Sequence, residues 1–147
     1  MSNAIFTPKK PVNEPVKNYI EGSIERIQLD EALAKLKSEV IDIPMYINGK
    51  EITSAEKIRI VSPHDHAKLL GYYYKGEKEH VTMAIDAALE ARKKWANMSW
   101  EHRATIFLKA ADLMAGKYRA KLNAATMLGQ SKSVHQSEID SVCESVD

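Results

Sequence analysis

Apolar residues recur with helical spacing from about Lys78 to the end of the chain, and this pattern constrains the fold most. Two rows lie in its first part: Val81, Ile85 and Leu89 at spacings of four, and Ala84, Ala88, Ala91 and Trp95 at spacings of 4, 3 and 4. Together they form one broad apolar face of a helix. Asn97 to Ser99 predicts a break with Ser99 as the next N-cap, and Gly116 predicts the end of the second helix.

Two shorter helices are predicted after this pair. The first ends near Gly129, and the second begins where Ser133–Gln136 fits a capping box. The inner face of the final helix is predicted to carry Ile139, Val142 and Val146. At about 100° per residue, Glu144 points nearly opposite to that face, beside Ser137 and Ser141. By itself this pattern indicates a solvated polar face.

The middle of the chain is predicted to form strands. Asn48-Gly49 lies between two short apolar runs, and its tolerance of positive φ predicts a type I′ hairpin. Ile58 and Ile60 alternate with charged neighbours, as in a half-buried strand. Leu69–Tyr74 is rich in aromatic residues of high β propensity and predicts a further strand.

A helix over residues 23–40 is predicted before the strands, with Ser23 as its N-cap. Its apolar stripe consists of Leu29, Leu33, Leu36 and Val40. Residues 1–22 contain Pro8, Pro11 and Pro15. Prolines this dense block helix formation and remove ladder donors, so we expect residues 1–22 to form an extended arm. Residues 23–147 are then predicted to form an α+β unit: a helix, a small β-hairpin and strand group, and a helical run.

Composition excludes several classes of protein. The 147 residues carry 21 Lys+Arg against 20 Asp+Glu, so they lack the basic excess of a nucleic-acid-binding protein. One cysteine rules out an internal disulfide and a cysteine-rich zinc site. No apolar run approaches the roughly 20 residues of a membrane span, and the N-terminus shows no stretch of secretory length. We therefore expect a cytoplasmic protein; Ser2-Asn3-Ala4 fits native sequence or an expression remnant equally.

Candidate catalytic and metal-binding residues are few. Cys143, the only thiol, lies beside Glu144, whose charge would raise its pKa, so we interpret Cys143 as structural. His64, Asp65 and His66 suggest a metal-binding cluster, but a metal site needs three or four ligands. A turn with Asp65 bonded to local backbone is the favoured interpretation. Glycine-rich phosphate loops and the G-x-S-x-G nucleophile elbow do not occur in the sequence.

Several segments match the pattern of one enzyme superfamily. They are Ala84–Asp147 as a whole, PVNEP at Pro11–Pro15, INGKE at Ile47–Glu51, SPHDH at Ser62–His66, FLKAADL at Phe107–Leu113, MLGQSK at Met127–Lys132 and QSEID at Gln136–Asp140. The chain resembles the N-terminal portion of aldehyde dehydrogenases. Within that superfamily it most resembles the family of 1-pyrroline-5-carboxylate dehydrogenases, also called L-glutamate γ-semialdehyde dehydrogenases.

The resemblance implies an α/β aldehyde dehydrogenase fold of which this chain is the first part. The family oxidises L-glutamate γ-semialdehyde to L-glutamate with NAD in proline degradation, and its members form homo-oligomers. The family's nucleophilic cysteine, its oxyanion-holding Asn, its hydrolytic Glu and its dinucleotide core match positions beyond 147. We therefore expect no catalytic, cofactor-binding or metal-binding residue here, and no activity from these residues alone. The expectation that NAD is the cofactor rests on the resemblance alone.

One site residue is implied by the same resemblance. The family has a Glu on this last helix that borders the aldehyde entrance and contacts the amino group of the substrate, and Glu144 matches it. A carboxylate there would form a charge-assisted hydrogen bond with an ammonium group, which favours an amino-acid aldehyde over a plain one. Cys143 does not match the nucleophile of the family.

Two other hypotheses stay open. In one, the chain is a free-standing truncated homologue that acts as a binding or assembly module, pairing with a full-length paralogue or a homologous subunit. The uncapped final helix favours the enzyme instead, because Ile139, Val142 and Val146 still require a partner. In the other, His64 and His66 form a small metal-binding domain, which predicts that zinc raises the melting temperature.

Overall fold

The computed structural model describes residues 10–147. In chain order they form α1 (Ile24–Ser38), β1 (Ile41–Ile43), β2 (Met45–Ile47), β3 (Lys50–Ile52), β4 (Lys57–Ser62), β5 (Asp65–Tyr74), α2 (Lys78–Asn97), α3 (Trp100–Ala115), α4 (Arg119–Gln130), α5 (Val134–Ser137), a π-helix (Glu138–Cys143) and α6 (Glu144–Val146). This is the α+β class that the sequence predicts. Of the predicted arm, residues 1–9, with Ser2-Asn3-Ala4 and Pro8, lie outside the described residues.

The helix boundaries follow local capping signals. The Ser23 and Ser99 hydroxyls each accept a backbone N–H in the first turn of α1 and α3. Gly116 follows the last residue of α3. Ser133 and Gln136 form the reciprocal capping box of α5. Each of these helix ends confirms its prediction. They could be predicted because each capping interaction joins residues no more than four positions apart.

The strands form two small sheets. The β2–β3 hairpin turns through Asn48 and Gly49, whose φ values of 52° and 72° confirm the predicted type I′ turn. The second sheet has the order β1-β5-β4, with β4 and β5 antiparallel. β1 runs parallel to β5, and its three residues are all exposed. Ile41-Asp42-Ile43 alternates in polarity, but three residues are too few for this alternation to indicate a strand.

The close approach of β1 to β5 depends on Gly71. A Cβ atom at this position would lie 2.7 Å from Cγ1 of Ile41, which sits opposite Gly71 in the parallel ladder. β5 also begins earlier than predicted, at Asp65 rather than Leu69. The turn is confined to the two residues before it, although Asp65 does accept a local N–H from Ala67 at 3.2 Å, as expected.

The main core lies between α1 and α4. Tyr19, Leu29 and Ala124 are buried there and are covered by Ala32, Leu33, Leu36, Met127 and Val134. The predicted stripe of α1 therefore faces α4, except for Val40, which lies beyond the end of the helix and is exposed. Tyr19 belongs to the segment before α1, so that segment packs against the helices.

The long helices α2 and α3 leave their apolar faces uncovered. Val81, Ile85 and Leu89 on α2 are each more than half exposed, and α3 exposes Phe107 and Leu108. The final helix behaves in the opposite way, because Val142 is 0% exposed within this chain. The expectation that Ile139, Val142 and Val146 require an outside partner is therefore wrong for Val142, while Ile139 and Val146 are half-buried. Within residues 10–147, no helix has the length and apolar character needed to cross a bilayer.

Candidate functional site

The last helical stretch of the chain is interrupted by a π turn. Two pairs of residues five positions apart are buried here: Ser137 with Val142, and Glu138 with Cys143. The backbone N–H of Glu144 donates to the carbonyl of Ile139, five residues back, and closes the turn. Single π turns inside helices recur at functional sites, which makes this stretch the candidate site.

The π turn changes which side chains face solvent. Glu144 is exposed, but its predicted neighbours on the polar face are not. Ser137 is fully buried, and Ser141 is half-buried, with its hydroxyl donating to Asn123 Oδ1 at 2.8 Å. The prediction of a shared polar face is therefore wrong. It assumed the α period of about 100° per residue, which a five-residue turn breaks.

A buried carboxylate marks the start of the π turn. Glu138 is 0% exposed. Its two oxygens accept hydrogen bonds from the Lys17 N–H (2.9 Å), the Tyr19 hydroxyl (2.7 Å), the Asn123 amide (2.8 Å) and the Arg119 guanidinium (3.1 Å from Nε). A buried charge is tolerated only when it is paired and hydrogen-bonded, and here both conditions are met.

Arg119 connects that carboxylate to the segment before α1. Its guanidinium pairs with Glu138 and Glu14, and it donates to the Pro15 carbonyl at 2.9 Å. Nη2 also lies 3.8 Å from Sγ of Cys143. The side chain of Arg119 is almost fully buried, so these partners replace its hydration. The result is one network that joins the N-terminal segment, α4 and the π-helix.

Cys143 lies at the other end of the π turn. Burial raises the pKa of its thiol, and the negative charge of Glu138 raises it further. The carboxylate with the largest effect on the pKa of Cys143 is therefore Glu138, with Glu14 and Asp147 adding to it, and not, as the sequence suggested, the adjacent Glu144. A raised pKa keeps a thiol protonated at neutral pH, which suits packing rather than nucleophilic attack.

Comparison with protein families gives a direct match. The family model described as "Aldehyde dehydrogenase family" matches residues 50–147. This chain belongs to the aldehyde dehydrogenase family. The resemblance seen in the sequence motifs is thereby confirmed.

Relatives within the family are 1-pyrroline-5-carboxylate dehydrogenases. The protein of that name from Agaricus bisporus is 47% identical over 136 residues, covering 92% of this chain and 25% of the relative. The mitochondrial protein from Homo sapiens is 41% identical, covering 94% and 24%. The crystal structure from Mycobacterium tuberculosis bound with NAD has a TM-score of 0.96 at 45% identity, covering 99% of this chain and 28% of that one. This aldehyde dehydrogenase chain thus spans about a quarter of the length of its relatives.

The predicted cluster of His64, Asp65 and His66 is not arranged as a metal site in this aldehyde dehydrogenase chain. His64 Nδ1 lies 2.7 Å from the Ser131 hydroxyl, while His66 is exposed on β5. Among residues 10–147, one group of three ligand-type side chains has its atoms within 4.8 Å of one another: Glu77, Glu79 and His80. His80 Nδ1 in that group already accepts the Glu77 N–H at 3.0 Å, as part of the α2 cap.

The buried carboxylate predicts acid sensitivity. Burial alone would raise the pKa of Glu138, but hydrogen bonds from Arg119, Tyr19, Lys17 and Asn123 outweigh it and lower the pKa from 4.5 to about 2. A lowered folded-state pKa stabilises the fold above the unfolded value, and this contribution disappears as the pH falls towards 2. The gap in unfolding free energy between wild type and Glu138→Gln should therefore narrow by about 3 kcal/mol from pH 6 to pH 2 in urea titrations. A difference in unfolding free energy that stayed the same from pH 6 to pH 2 would contradict a stabilising role of the Glu138 charge.

Proposed function

We propose that this chain is the N-terminal quarter of an NAD-dependent dehydrogenase that oxidises L-glutamate γ-semialdehyde, formed from 1-pyrroline-5-carboxylate, to L-glutamate in proline degradation. The observation that carries the proposal is the likeness of nearly the whole chain to the NAD-bound enzyme from Mycobacterium tuberculosis, at 45% identity. The thiolate chemistry and hydride transfer belong to the remaining three quarters of such an enzyme. The complete enzyme is proposed to be a homo-oligomer.

Residues 10–147 do not themselves fit NAD. A dinucleotide site places the pyrophosphate at a helix N-terminus that follows a parallel strand through a glycine-rich turn. The parallel strand β5 does lead into α2, but Glu77 occupies the N-cap of that helix and Glu79 its first turn. Two carboxylates at this position repel a phosphate. The proposal therefore assigns NAD to the rest of the enzyme.

The proposed role of this part is to frame the substrate passage and to supply Glu144. The Glu144 side chain is exposed in residues 10–147, while its backbone is held by the π turn. An exposed carboxylate on a fixed backbone can meet the ammonium group of an amino-acid aldehyde without the desolvation that a buried one would require. We propose this contact as the origin of the preference for glutamate semialdehyde.

The function can be tested with a chimera. This chain would replace the matching N-terminal segment of the Agaricus bisporus relative, and NADH formation with glutamate semialdehyde would be followed at the absorbance of NADH. We expect turnover by the chimera and none by residues 1–147 alone. The control is a second chimera that carries the equivalent segment of the Homo sapiens relative. The proposal would be contradicted if the control chimera were active while the chimera that carries this chain folded but formed no NADH.

Glu144→Ala in the active chimera tests the proposed contact. A hydrogen bond to a charged group contributes about 1.5–3 kcal/mol, so kcat/KM for glutamate semialdehyde should fall roughly 10- to 100-fold. For propanal, which has no ammonium group, kcat/KM should change little. Equal losses on both substrates would show that Glu144 has a structural role.

A free-standing binding module is the second candidate, and the uncovered faces of α2 and α3 favour it equally well. It predicts that the chain alone binds a full-length relative, and that its chimera is inactive.

The cellular compartment is also part of our proposal. We propose the cytoplasm, since the one cysteine is a free, buried thiol that suits a reducing environment; the Homo sapiens relative is named as mitochondrial.

A further inference from the structure

One guanidinium group spans the whole π turn. Nη2 of Arg119 donates to the carboxylate of Glu138, the first residue of the π-helix, and lies 3.8 Å from Sγ of Cys143, the last. In an α-helix, residues five positions apart differ in direction by about 140°, so they do not present side chains to one partner on the same side. The contacts of Arg119 therefore fit the π turn and not an α turn.

The residue after this turn is Glu144, and its direction depends on the turn. Its N–H makes the five-residue hydrogen bond to Ile139 that closes the π turn. A π turn holds one residue more than an α turn. Tightening it to the α form would rotate every later side chain by about 100° relative to the preceding helix. Glu144 would then leave its present direction.

Burial at both ends keeps the extra residue in place. Glu138 must stay where its donors are, because a buried carboxylate without them is strongly unfavourable. Val142 and Cys143 are buried against the same chain at 0% and 4% exposure. A turn closed by a hydrogen bond four residues back cannot satisfy both ends, while one closed five residues back can. The hydrogen bonds of Glu138 therefore offset the cost of an unusual turn.

We propose that Arg119 and Glu138 are positioning residues that direct Glu144 through the π turn and so sharpen discrimination between an amino-acid aldehyde and a plain aldehyde. The inference rests on the proposed function, in which Glu144 contacts the substrate. Neither residue touches the substrate in this account. Their effect reaches it only through the orientation of Glu144.

A double-mutant cycle in the active chimera tests the inference. The variants are Glu138→Gln, Glu144→Ala and the double variant, and the readout is the ratio of kcat/KM for glutamate semialdehyde to kcat/KM for propanal. We expect Glu144→Ala to lower this ratio roughly 10-fold or more and Glu138→Gln to lower it several-fold. The double variant should match Glu144→Ala alone, because a positioning residue has nothing left to position.

A matched control separates positioning from general loss of stability. Leu29→Ala removes a core side chain between α1 and α4 and should lower the melting temperature while leaving the ratio unchanged. If Glu138→Gln does not fold, Tyr19→Phe removes one hydrogen bond to Glu138 and keeps the ring, and it should lower the ratio about twofold.

The outcomes separate the inference from the function beneath it. An unchanged ratio in Glu144→Ala would contradict the proposed substrate contact. The positioning role would be overturned if Glu144→Ala lowered the ratio of the two kcat/KM values while Glu138→Gln or Tyr19→Phe kept the wild-type ratio. The proposed function would still stand in that case. Additive losses in the double variant would also overturn it, since Glu138 would then act independently of Glu144.

Discussion

Arg119→Met is expected to lower the free energy of unfolding of this chain by about 3–5 kcal/mol, because it leaves the Glu138 carboxylate buried without its counter-ion. Glu138 is 0% exposed and Arg119 is 4% exposed, so water does not replace the lost partner. The substitution also removes the donor to the Pro15 carbonyl, which ties the N-terminal segment to α4. Urea denaturation followed by circular dichroism measures the loss.

Two further variants make that result specific. Arg119→Met with Glu138→Leu removes both charges of the fully buried pair and should recover part of the loss. The rest remains because Tyr19 and Asn123 lose their buried acceptor. Arg26→Met breaks the exposed pair between Arg26 and Asp30 on α1 and should cost less than about 1 kcal/mol. Similar small losses at Arg119 and Arg26 would show that the buried network contributes little.

Sequence predicts the parts of this fold that depend on neighbouring residues. The Asn48-Gly49 turn and the caps at Ser23 and Ser99 each join residues within three positions. The strand β1 was missed for the opposite reason. Its three residues are exposed. Its position is set by pairing with β5, about thirty residues further along the chain, where Gly71 has no side chain and lets Ile41 approach closely.

The buried network could not be predicted from spacing. Its four main members are Tyr19, Arg119, Asn123 and Glu138. Charged side chains are mostly exposed, so no pattern marks Arg119 or Glu138 as interior residues. The available signal is the one-turn spacing of Arg119 and Asn123 on α4, which places two polar side chains on the face that also buries Ala124.

The π turn was hidden by the assumption of a constant helical period. A period of about 100° puts Ser137 and Glu144 on one face, whereas the structure buries Ser137 and exposes Glu144. The error arises because burial, not propensity, decides the local geometry. Glu138 and Cys143 both face Arg119, and the helix accommodates them with an extra residue.

Phe107→Ser is expected to destabilise the chimera far more than residues 1–147 alone, because the face of α3 is uncovered here and we expect it to be covered in the proposed enzyme. Phe107 is 67% exposed, and its main aromatic contact is the edge-to-face arrangement with Trp95 at 6.4 Å. In residues 1–147 the substitution should change the free energy of unfolding by about 1 kcal/mol or less. It should also reduce the binding of hydrophobic dyes.

In the chimera the same substitution should cost about 3–5 kcal/mol, the loss typical of a buried phenylalanine. The chain spans 25% of its Agaricus bisporus relative, and in the proposed enzyme we expect the remaining three quarters to cover the exposed faces of α2 and α3. Thermal unfolding of both proteins measures the difference, with Lys109→Ser on the same helix as the control. An equally small effect in both settings would mean that the face stays exposed in the enzyme, which would favour the binding module over the buried scaffold.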